Sequence, residues 1–97
     1  MAFRNKTADL LYSLMTTADE NRISKLAITQ LSSIQRYRAS EQLLSLAAAF
    51  ICLLDTYGLN AADVLGIAHN MVYDTSNPAV VKDYKGIKQY MKTEWNF

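Results

Sequence analysis

Residues 40–58 read SEQLLSLAAAFICLLDTYG. Within them the run from Leu43 to Leu54 is apolar except for Ser45 and is bounded by Glu41 and Asp55. At 12 residues, 43–54, it is well short of the roughly 18–20 that a bilayer span requires, so it predicts a helix covered by protein. A helix apolar on nearly all sides belongs at the centre of a bundle or at a subunit interface. Gly58 predicts its end, because a helix C-terminus commonly closes on a residue with positive φ, and Leu59 supplies the hydrophobic side chain that accompanies such a cap.

Upstream, residues 7–57 hold neither Gly nor Pro, which argues for helices joined by short connections. Thr7 opens a first helix with Leu10, Leu11, Leu14 and Met15 as its apolar face. Thr17 and Glu20 have the spacing of a capping box and start a second. Its Ile23, Ala27, Ile34 and Tyr37 fall on one side, flanked by Leu26 and Leu31. Ser40 caps the third helix, with a helix continuous through residues 38–41 as the alternative. Downstream, Asn60 and Asp63 begin a fourth helix with the stripe Val64, Ile67, Ala68 and Met71. Asn77-Pro78 is the clearest start signal: Asn accepts free N–H groups and Pro at the first helical position forfeits no hydrogen bond. The fifth helix runs to about Trp95 with a seam of Val80, Tyr84, Ile87, Met91 and Trp95. The prediction is all-α: a compact bundle of about five helices with a central apolar helix, one domain over residues 1–97 with residues 1–6 loose.

The totals fit one domain that folds alone or as a small oligomer, since 97 residues at 51% hydrophobic and 20% charged are too apolar for disorder. One Cys excludes a disulfide scaffold. Ten Lys and Arg against nine Asp and Glu leave +1, which argues against a general coat for nucleic acid. The charge is nevertheless segregated: +3 over residues 1–38, −4 over 39–81 with no Lys or Arg, and +2 over 82–97. The N-terminal residues lack the apolar core of a targeting segment, so the expected location is the cytoplasm.

Little here supports catalysis. His69 and Cys52 are the only residues of their kinds, and neither has a partner at a meaningful spacing. Cys52, between Ile51 and Leu53, is expected in the core as an inert thiol. Acidic side chains are scattered, so no metal site is expected, and no glycine-rich phosphate loop is present. The expectation is a protein that is not an enzyme and uses no cofactor. Gly58, Leu59, Val64 and Ile67 sit at helix-turn-helix spacings, but a recognition helix carrying Asp63, followed by Asp74 and free of Lys and Arg, would meet phosphates with the wrong sign.

Two helix faces hold the binding candidates. On the second helix Arg22, Lys25, Thr29, Ser33 and Arg36 lie opposite the apolar stripe, groups that suit phosphates or an acidic protein surface. On the fifth, Lys82, Lys85, Lys88 and Lys92 form a similar face. Either face also suits a plain solvated surface. Phe3, Tyr90 and Phe97 fall off the core stripes, making the chain ends candidates for docking or for homodimer and higher homo-oligomer contacts.

Several segments then resemble small proteins of tailed bacteriophages: Arg38, Ser40-Glu41-Gln42, Leu46-Ala47-Ala48-Ala49-Phe50, Tyr57-Gly58, Ala62-Asp63-Val64, Asn70-Met71 and Ile87-Lys88-Gln89-Tyr90-Met91-Lys92-Thr93-Glu94. The resemblance spans residues 38–94 and implies a phage accessory protein of the host-takeover or anti-defence type. Separately, Leu26-Ala27-Ile28-Thr29-Gln30-Leu31 resembles a stretch of helical phage proteins that sequester cyclic nucleotides, which implies phosphate contact at Lys25 and Thr29. The leading expectation is a protein partner met through Arg22, Lys25, Thr29, Arg36, Lys82, Lys85, Lys88, Tyr90, Lys92 and Phe97. Nucleic acid is the alternative partner, a nucleotide-sequestering sponge is a further alternative, and no membrane role is expected.

Overall fold

A computed structural model describes residues 6–95. Five helices follow in order: α1 (Lys6–Thr16), α2 (Glu20–Ile34), α3 (Ala39–Tyr57), α4 (Ala61–Val72) and α5 (Pro78–Glu94). The described residues form no strand, and the fold is all-α as the periodicity predicts. Principal extents of 43 × 32 × 19 Å describe a flattened bundle. Residues 1–5, expected to be loose, lie outside the described residues, whereas Lys6 already opens α1.

The start of α5 and the end of α3 follow their signals. Asn77 Oδ1 accepts from the Ala79 and Val80 N–H groups at 3.1 and 3.4 Å, with Pro78 at the first helical position. Gly58 closes α3 at φ 64° and ψ 35°, and the Leu59 N–H donates to the Leu54 carbonyl. Asn60 caps α4 by accepting from the Asp63 N–H.

Two caps differ from expectation. Asp19, one residue before Glu20, caps α2 through the Asn21 N–H, while the Thr17 hydroxyl turns back to the Ser13 and Leu14 carbonyls at the end of α1. At α3 the cap position is Arg38, whose N–H donates to the Glu41 carboxylate, so Ser40 lies inside the first turn. The break between α2 and α3 has a cause in the later helix. Gln42 is 2% exposed, and its Nε2 donates to the Tyr37 and Gln35 carbonyls at 2.8 and 3.4 Å. It thereby satisfies carbonyls that a glycine cap would otherwise serve. Tyr37 consequently lies beyond α2 and is 48% exposed, not on its apolar stripe.

The core is small. Ala8 and Tyr12 of α1 are buried where Leu10 and Leu14 were expected, because the Tyr12 hydroxyl pins α1 to the start of α4 by accepting from the Asn60 N–H at 2.6 Å. Val80 and Tyr84 are buried on α5, with Ile87, Met91 and Trp95 half-buried along the same seam. The apolar helix, third of five, turns Gln42 and Leu46 toward α2 and α5. Cys52 on it is exposed rather than in the core, as are Ala48, Ala49, Asp55 and Thr56 around it on the helix.

Candidate protein-binding surface

α2 and α5 run parallel, as their matched pairs show. Asn77 Nδ2 donates to Asn21 Oδ1 at 3.2 Å at the N-terminal end, and one turn further the Asp83 carboxylate receives Ser24 Oγ at 2.7 Å and Lys25 Nζ at 2.6 Å. Ser24 is fully buried, so this hydrogen bond fixes the register of the two helices from within the seam. The Lys25 ammonium and the Ser24 hydroxyl hold the Asp83 carboxyl below the usual aspartate range, with Lys82 adding to the effect. At the N-terminal end of the pair, desolvation and the neighbouring Asp74 carboxylate push Glu20 upward. Asp74 itself is held low by the Ser76 N–H and hydroxyl.

This register brings the two basic faces to one side. Lys82 lines a groove between the helices with Ile28, Ser32, Gln35 and Asp83, volume about 310 Å³, so the faces meet at Lys25, Asp83 and Lys82. Beyond it, Lys82, Lys85, Lys88 and Lys92 border a shallow depression around Gly86 and Gln89. All four are exposed. Lys88 Nζ stands 4.6 Å above the ring of Tyr73, the residue that caps the end of α4, and Lys82, Lys85 and Lys92 have no carboxylate in ion-pair range among the described residues.

The α2 candidates separate. Arg22 is exposed, Lys25 is committed to Asp83, and the Thr29 hydroxyl donates to the Lys25 carbonyl at 3.0 Å. Lys25 and Thr29, the pair implied for phosphate, are thus both internally engaged. Arg36 folds over the Tyr37 ring at 5.2 Å, at the far end of α2. Tyr90 is half-buried rather than exposed, because its hydroxyl donates to Gln42 Oε1 at 3.2 Å. Phe3 and Phe97 lie outside the described residues. His69 is exposed and stacked at a tilt on Tyr73, 4.6 Å between ring centres. Among the described residues no group of three His, Cys, Asp or Glu is placed to hold a metal ion.

α3 is a further surface. The helix is 19 residues long, and an 18-residue window of it has a mean hydropathy of 1.3, long and apolar enough by length and composition to cross a membrane, yet it is almost unburied within the chain. The signal was present in the apolar run, expected either at the centre of the bundle or at a subunit interface, and the helix stands third of five. No family model, curated protein or solved structure matches the chain.

Proposed function

We infer that the protein is a small non-enzymatic binding protein that docks onto another protein and modulates it, with an acidic surface as the target of its lysine ridge. The observation that carries this reading is the α5 ridge. Asp83 neutralises Lys25 at the seam and leaves Lys82, Lys85 and Lys92 exposed along one helix without an ion-pair partner among the described residues. Lysines on flexible stems suit an acidic protein surface better than the bidentate, fixed geometry that arginine gives at phosphates. The resemblance of residues 38–94 to small tailed-phage proteins supports a viral origin and a bacterial host protein as the target.

The test is capture from bacterial host lysate with the wild-type chain and with a Lys82→Glu, Lys85→Glu, Lys92→Glu variant. A stoichiometric acidic protein retained by the first and lost by the second supports the reading. Binding of duplex or single-stranded nucleic acid that falls steeply with salt and disappears in the same variant, with no protein captured, overturns it in favour of nucleic acid.

A further inference from the structure

The outward side of α3 is used by neither the core nor the lysine ridge. Leu43, Leu44 and Ile51 are 57%, 68% and 55% exposed, and Ala47 and Ala48 between them are exposed as well. At 100° per residue Leu44, Ala47, Ala48 and Ile51 share one stripe. Positions 44, 47 and 51 step by three and then four, the spacing of a two-helix seam, with the small Ala47 at its middle to allow close approach.

We propose that this face is a homodimer interface, in which α3 packs antiparallel against α3 of a second copy. The uncovered apolar side chains point to a protein cover, since Leu43, Leu44 and Ile51 are each more than half exposed on one helix.

Charge selects a second copy and its direction. Parallel pairing would set Glu41 against Glu41 and Asp55 against Asp55. Antiparallel pairing about Ala47 and Ala48 sets Leu44 of one copy opposite Ile51 of the other, and brings Asp55 beside Ser40 and within a turn of Arg38. A bilayer fits less well. The stretch free of charge, residues 42–54, is about 20 Å long as a helix, against a hydrocarbon layer of about 30 Å. The opposite edge of α3 is also tied to the bundle by the Gln42–Tyr90 hydrogen bond. This dimer is independent of the docking reading above and leaves the α5 lysines facing outward.

Sedimentation equilibrium tests it on the full chain. The wild type is expected at about twice its 10.9 kDa mass, and Ile51→Lys is expected as a monomer with unchanged helical circular dichroism. Ala47→Cys in a Cys52→Ser background should cross-link on mild oxidation. Native Cys52 should not, because its two copies lie about 14 Å apart along an antiparallel pair. That cross-link decides the matter if Ile51→Lys loses helicity. A wild type monomeric up to the millimolar range, a dimer that persists in folded Ile51→Lys, or a ready Cys52 disulfide would each overturn the proposal. So would a monomer that floats with phosphatidylcholine vesicles.

Discussion

Between α2 and α5, Ser24, Val80 and Tyr84 are buried, and Asn21, Ser24, Lys25, Asn77 and Asp83 are linked across the pair. Along α3, a longer helix richer in Leu and Ala, the one buried residue is Gln42, a polar one. The contrast teaches that burial follows the available partner, not the hydrophobicity of the segment. α5, with four lysines, is held by a narrow stripe and a few polar pins, whereas α3 has apolar area to spare and, among the described residues, no helix that covers its outer side.

Substitutions probe the two regions in descending order of effect. Tyr84→Ala, deep in the seam, is expected to destabilise the chain by about 3–5 kcal/mol, measured by urea unfolding. Gln42→Ala leaves the Tyr37 carbonyl and the Tyr90 hydroxyl without their shared partner and should cost about 1–3 kcal/mol by the same measurement. The seam should also respond to acid. Asp83 titrates below the ordinary aspartate value when folded, so its contribution is complete above that ordinary value and fades as pH falls through the folded one. Glu20, raised by desolvation and Asp74, acts oppositely: its contribution is present below its ordinary value and is lost as pH rises through the folded one. Melting curves of Asp83→Asn across the acid range should therefore lose the first dependence and keep the second. Leu44→Ser on the outer side of α3, at dilutions where the chain is monomeric, should shift stability by less than about 0.5 kcal/mol. A large loss there would show that α3 is packed within one chain after all.

Much of the fold was legible because its signals are local. Asn77-Pro78, Asn60 and Gly58 each act on backbone groups within a few residues and mark the boundaries found. The break before α3 was expected from Ser40, but its cause was not legible, because the group that satisfies the carbonyls around it is Gln42, from inside the next helix. For α1, spacing pointed to Leu10, Leu11, Leu14 and Met15, of which Leu11 and Met15 are half-buried, and the burial of Tyr12 rests on a hydrogen bond with residue 60 that no local pattern shows. At the candidate surface, the segregation of Lys and Arg was visible, but the role of Asp83 in neutralising Lys25 depends on a pairing 58 residues apart. Periodicity marked α3 as apolar without showing whether its own chain would cover it.

The parallel direction of α2 and α5 carries a consequence for biosynthesis. Two parallel neighbours need a return path, and α3 and α4 provide it, so the linked residues lie 56–59 positions apart. A ribosome releases α2 well before α5 exists. Until then Ile23, Ala27 and Leu31, which line an apolar hollow with Tyr84 and Ile87 in the finished fold, have nothing from α5 to meet. The nascent chain therefore travels with an open hydrophobic strip until α5 is translated and closes it.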